Sequence, residues 1–138
     1  MQVTKNPLRL AWATVRYDAG LALEKVLYSR RNRFPRLYRW AHAAEAAQNC
    51  IIDPWLGKVS RQEQREMKYG RMVLDLGRRI QDTPEGPEKE RLRARYRRAS
   101  EKAVAASVAR AYLTIERHPD HPESLHRIRL HEFARARA

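Results

Sequence analysis

Apolar residues recur along this chain at alternating steps of three and four, the period of helices that bury one face. Leu8, Trp12, Val15, Ala19, Ala22 and Val26 form the first stripe. Asn6 and Pro7 precede it as a cap and a first-turn proline, so the pattern predicts an amphipathic helix over 6–28 with that stripe toward the core. Gly20 inside it costs about 1 kcal/mol against Ala and points to a close helix approach. Leu37, Trp40, Ala44, Ala47 and Ile51 predict a second helix from Pro35, slimmed by Ala41, Ala43 and Ala46. Asp53-Pro54-Trp55-Leu56-Gly57 reads as a turn, because proline disfavours helix at the residue before it. Ser60 with Glu63 has the form of a capping box, which predicts a third helix over about 61–81. Its inner face is Tyr69, Met72, Val73, Leu76 and Ile80, widened by Met67 and Leu74.

The chain is organised around the next element. Pro87 suits a first helical position, Glu88 and Glu90 complement the positive end of the helix dipole, and no Gly or Pro follows until Pro119. A helix over 87–117 results, roughly 45 Å long. Leu92, Tyr96, Ala99, Ala103 and Ala106 make an early stripe. Val104, Val108, Ala111, Tyr112 and Ile115 make a later one, rotated around the axis as a long straight helix requires. His118-Pro119-Asp120-His121-Pro122 breaks it. A short helix over 122–136 closes the chain, with Leu125, Ile128 and Phe133 on one side. The expectation is an all-α fold, a four- to five-helix bundle organised around one long helix, in a single helical domain over 1–138.

Composition supports helix and adds charge. The 138 residues include only five glycines, 43% hydrophobic residues and 33% charged ones, with a formal net charge of +13. Such self-repulsion is offset by an anionic partner: RNA, an anionic lipid surface or an acidic protein face. The single cysteine, Cys50, excludes an internal disulfide and a Cys-rich zinc site, and reads as a small buried residue. No apolar run reaches the roughly 18 residues of a membrane span. The N-terminal segment is basic at Lys5, Arg9 and Arg16, with no acid before Asp18. That is the character of a mitochondrial targeting sequence, and equally of an ordinary core-facing helix.

Candidate chemistry is cationic rather than catalytic. Arg30, Arg31 and Arg33 sit close together between Tyr28 and Phe34, a pattern that holds phosphate and stacks on bases or pairs with an acidic protein. Arg91, Arg93, Arg95, Arg97 and Arg98 spread around the first half of the long helix as a wide basic surface. Trp12, Trp40 and Trp55 are the aromatic anchors expected at buried contacts. His118, Asp120, His121, His126 and His131 invite a metal reading. However, His126 and His131 are five apart and miss the i, i+4 spacing of two ligands on one helix face. No nucleophile–base arrangement and no glycine-rich phosphate loop stands out, so neither an enzyme nor a bound metal or cofactor is expected.

Two resemblances are carried by short motifs. Leu37-Tyr38-Arg39 is the tripeptide of the LYR family, small helical proteins that use it to dock an acyl carrier protein. That resemblance implies an acidic helical partner at Tyr38 and Arg39. Arg16-Tyr17-Asp18, Ala22-Leu23, Tyr38-Arg39, Pro54-Trp55 and Tyr69 come in the order found in subunit 7 of ubiquinol–cytochrome c reductase, which the chain resembles over about half its length. Ala19 stands where that family has a second Asp, and its Leu-Pro after Ala-Leu is missing. Either resemblance implies a non-catalytic scaffold subunit facing the mitochondrial matrix. The expectation is therefore an accessory subunit of an inner-membrane respiratory-chain complex, contacting other subunits and anionic lipid headgroups. The alternatives are a mitochondrial ribosomal protein that binds rRNA through its Arg clusters, and an LYR-type adaptor.

Overall fold

A computed structural model describes residues 4–138, and among these the fold is all-α, with no strand. The helices are α1 (Pro7–Leu27), α2 (Pro35–His42), α3 (Ala44–Ile52), α4 (Pro54–Asp82), α5 (Pro87–Arg117) and α6 (Pro122–Ala136), with a 3-10 turn at Tyr28–Arg30. Five of the seven prolines open a helix: Pro7, Pro35, Pro54, Pro87 and Pro122. A first-turn proline loses no hydrogen bond, because that N–H has no partner within the helix. The chain divides into two compact units, one ending at Lys58 and one beginning at Val59.

The first unit packs α1 on α2 and α3. Asn6 caps α1, its Oδ1 accepting from the Leu8 amide at 3.0 Å. The predicted stripe does not face the core. Leu8, Trp12, Val15 and Val26 are exposed, and α1 instead buries Ala13, Arg16, Gly20 and Leu27. The reason is close approach. A Cβ built on Gly20 would lie 2.5 Å from the Ala44 Cβ and 3.0 Å from the Ala41 carbonyl oxygen. Helices this close need Ala and Gly between them, and a Leu–Trp–Val face would hold them apart. The helix predicted from Pro35 is also broken, at Ala43, into α2 and α3. Cys50 is half-buried rather than buried.

The predicted turn after Asp53 is a single residue. Asp53, with φ −114° and ψ 102°, ends α3, and α4 restarts at Pro54. The Asp53 Oδ1 accepts from the Trp55 amide at 3.1 Å, and its carbonyl from the Gly57 amide at 3.2 Å. Ser60 therefore lies inside α4 rather than at its cap. Asp53 is 1% exposed. Asp53→Ala is expected to cost about 1–2 kcal/mol in urea denaturation and Asp53→Asn less than half of that, because Asn still accepts from the amide.

The second unit is built on the α4–α5 hairpin. Leu76 of α4 packs with Leu92 and Ala99 of α5, and Met72, Val73 and Ile80 close around them. The turn uses Gly86 at φ 156° and ψ −173°, a conformation essentially open to Gly alone. α6 packs on α5 and buries Ser124 and Ile128, while Phe133 is exposed. His121 caps α6, its Nδ1 accepting from the Ser124 amide at 3.3 Å and lying 2.9 Å from the Ser124 hydroxyl. Glu66 of α4 ties the three helices together, 2.9 Å from Arg110 of α5 and 3.9 Å from Arg127 of α6.

Candidate anion-binding surface

The five arginines at the start of α5 do not act alike. Arg93 turns to the acids of the helix start, where Glu85 lies at 3.2 Å and Glu90 also pairs with it. Lys89 pairs with Glu85 at 2.9 Å. These cations hold the Glu85 carboxyl below the usual carboxylate range, through the hydrogen bond from Lys89 first and that from Arg93 second. A lowered pKa means a contribution that is present above the ordinary Glu value and lost as pH falls through the lowered one. The first hydrogen-bonded amides of α5, beginning with that of Glu90, should therefore lose protection relative to their intrinsic exchange rates below that point. Glu85→Gln, which cannot ionise, should flatten this pH dependence in hydrogen exchange measured by NMR.

Arg91, Arg95 and Arg98 follow i, i+4 and i+7, and Lys102 continues the row at i+11, so the four share one face of α5. All four are exposed, and none has an ion pair among the described residues. Arg97 falls off this face. The row borders a groove of about 300 Å³ lined by Tyr69 and Met72 of α4 and by Arg95, Arg98, Ala99 and Lys102 of α5. The ammonium groups of Lys68 and Lys102 lie 5.5 Å and 5.3 Å from the centre of the Tyr69 ring. An anion entering this groove meets three cations and an aromatic ring, with no acid among the lining residues.

The sequence assigns Tyr69 and Met72 to an inner helix face and leaves Lys68 and Lys102 unnoticed. The signal that joins them is the hairpin. Antiparallel helices that turn near residue 85 face one another at positions summing to about 170, which pairs the region of Tyr69 with that of Lys102.

The other sequence candidates are separate from this row. Arg31 stacks on Tyr28 at 4.7 Å and donates to the Tyr28 carbonyl at 2.9 Å, and Arg33 lies over Phe34 at 5.7 Å. Arg30 is exposed beside them. Tyr38 stacks on His42 with centroids 5.7 Å apart, and Arg39 donates to the Pro35 carbonyl at 3.3 Å. Trp40 carries the Arg16 guanidinium over its ring at 3.6 Å, and Trp55 is half-buried. Among the described residues, no three His, Cys, Asp or Glu side chains gather into a group that could hold a metal ion. Among the described residues, no helix is long and apolar enough to cross a membrane.

No family model, curated protein or solved structure matches this chain. The geometry of the basic row and its groove is therefore the functional signal at hand.

Proposed function

We propose that the chain is a non-catalytic accessory subunit of a large assembly, the first reading being the matrix side of a mitochondrial inner-membrane respiratory complex. The observation that carries it is the row Arg91, Arg95, Arg98 and Lys102, four exposed cations with no ion pair among the described residues, on one face of a 31-residue helix. Such a row stores like-charge repulsion that an acidic subunit face or anionic headgroups relieve. The basic, acid-poor N-terminal segment supports the mitochondrial assignment. A second reading, a mitoribosomal protein, is favoured by one feature: Tyr69 in the groove beside the row, since cations with a stacking ring are how single strands are held.

The deciding experiment is native isolation of the tagged protein from a mitochondrial detergent extract, half of it treated with nuclease. The first reading expects co-migration with a respiratory complex, unchanged by nuclease. Release by nuclease, or sedimentation with ribosomal subunits, sinks it in favour of the second. Under either reading the triple variant R91Q/R95Q/R98Q should leave its assembly at lower ionic strength than the parent chain. If the partner is RNA, the log–log salt slope should fall by about 2, from three lost phosphate contacts at about 0.7 each.

A further inference from the structure

The first unit leaves one face of α1 bare, and that face is apolar. Leu8, Trp12, Val15, Ala19, Ala22 and Val26 step by four and three along it. At about 100° per residue these six and Ala11 fall within an arc of about 100°, and no polar residue lies between them. α1 meets α2 and α3 through a different face, that of Ala13, Arg16, Gly20 and Leu27. Leu8 is 80% exposed, Trp12 56%, Val15 56% and Val26 71%. The arc runs the length of the helix, about 27 Å from Leu8 to Val26. Arg9 and Lys25, both exposed, lie about 100° to either side of its centre, and exposed Lys5 precedes the cap. Asp18 is the acid that borders it, since Glu24 faces away and pairs with His42 at 2.7 Å.

An occupant must satisfy both the apolar arc and the cations on its two edges. A second copy brings the same cations and a net charge of +13 to meet them, and repulsion opposes that pairing. A plane of anionic headgroups meets both edges of the helix at once and accepts the arc into the acyl boundary, with Trp12 at the depth where indole rings concentrate. Lys and Arg reach such phosphates with their stems laid along the apolar surface. We infer that α1 lies flat on an anionic bilayer surface, with Leu8, Trp12, Val15 and Val26 below the headgroups and Arg9 and Lys25 at the phosphates. This rests on the reading of the chain as a membrane-adjacent subunit and names the segment that makes the contact.

The full chain is mixed with vesicles of equimolar phosphatidylcholine and phosphatidylglycerol, and with vesicles of phosphatidylcholine alone. It should co-sediment with the anionic vesicles, and its tryptophan emission should be quenched by brominated acyl chains. Quenching should largely vanish in Trp12→Phe, which keeps the apolar face. Leu8→Glu with Val15→Glu should weaken binding roughly a hundredfold, from two apolar side chains no longer buried. Both positions are exposed, so far-UV circular dichroism should be unchanged. R91Q/R95Q/R98Q should bind anionic vesicles more weakly, by what the α5 row adds, while the chains that stay bound keep their Trp12 emission quenched. Loss of vesicle binding in that triple variant, with L8E/V15E binding normally, would assign the attraction to α5 and overturn the inference. So would no binding at all, a lipid-free dimer abolished by Val15→Glu, or a photocrosslinker at position 15 capturing a protein rather than lipid in the native complex. A chain that ignores vesicles yet co-migrates with a respiratory complex sinks the inference and leaves the subunit reading standing. Vesicle binding through α1 with nuclease-sensitive sedimentation does the reverse.

Discussion

Gly20→Ala should destabilise the first unit, although the same exchange in an open helix position stabilises. In a helix interior Ala is favoured over Gly by about 1 kcal/mol. At Gly70 in α4 nothing lies within 4 Å of an added Cβ, so Gly70→Ala should gain up to about that amount. At Gly20 the added carbon lies 2.5 Å from the Ala44 Cβ and 3.0 Å from both the Ala41 carbonyl oxygen and the Arg16 Nη1. Two of these three atoms are fixed to neighbouring helix backbones, so α1 itself must move. Overpacking of this kind costs about 1–3 kcal/mol for one carbon, which outweighs the propensity gain. Gly20→Ala should lose about 1–2 kcal/mol net, and Gly20→Leu more than about 3 kcal/mol. Urea denaturation followed by tryptophan fluorescence reads this directly, because Trp12, Trp40 and Trp55 all lie in the first unit. A Gly20→Ala chain as stable as the parent would show that α1 and α3 do not approach this closely.

The same glycine shows what could be read from sequence. Gly20 inside a helical pattern and the alanines from Ala41 to Ala47 announced a close approach, and the structure puts Gly20 against Ala41 and Ala44. What periodicity could not supply was which face of α1 follows Gly20 inward. Leu8, Trp12, Val15 and Val26 carry the larger apolar area, and area is what a periodicity argument weighs. Close packing of backbones is decided by the smallest residues instead, and these lie about 100° around the helix from the large ones. The Asp53-Pro54 boundary was legible by the rule already used at Asn6-Pro7, an acceptor side chain before a first-turn proline. The capping-box form of Ser60 and Glu63 competed with it, and a local motif cannot report that its backbone is already helical. The bounds of α5 came from plain signals, Pro87 with early acids at one end and Pro119 beyond the other. The groove of Tyr69 and Lys102 was not legible in one helix at a time, because it exists only once two helices are set antiparallel.

The Arg16 series should separate the worth of a buried side chain from the worth of its charge. Arg16 is 7% exposed and donates through Nη2 to the carbonyl of Trp40, while Nη1 is buried without a hydrogen-bond partner. The break at Ala43 explains the first contact. The last carbonyls of α2 have no partner in their own helix, and a guanidinium from α1 meets one of them at the negative end of the dipole. Burial lowers the Arg16 pKa. A lowered pKa in a base is an unfavourable contribution wherever both states are protonated, relieved only above the folded value, so it adds no pH dependence at neutral pH. Arg16→Ala removes the stack on Trp40 and the bond to its carbonyl and leaves a cavity, at an expected cost of about 2–4 kcal/mol. Arg16→Met fills the space, keeps a polarisable group against the Trp40 ring and removes both the desolvated charge and the unpartnered nitrogen. It also orphans the carbonyl, and the opposed effects should leave it within about 1 kcal/mol of the parent. Denaturation of the three chains side by side decides the point. If Met proves as costly as Ala, then the charge at the end of α2 holds the first unit together, and the volume of the side chain matters little.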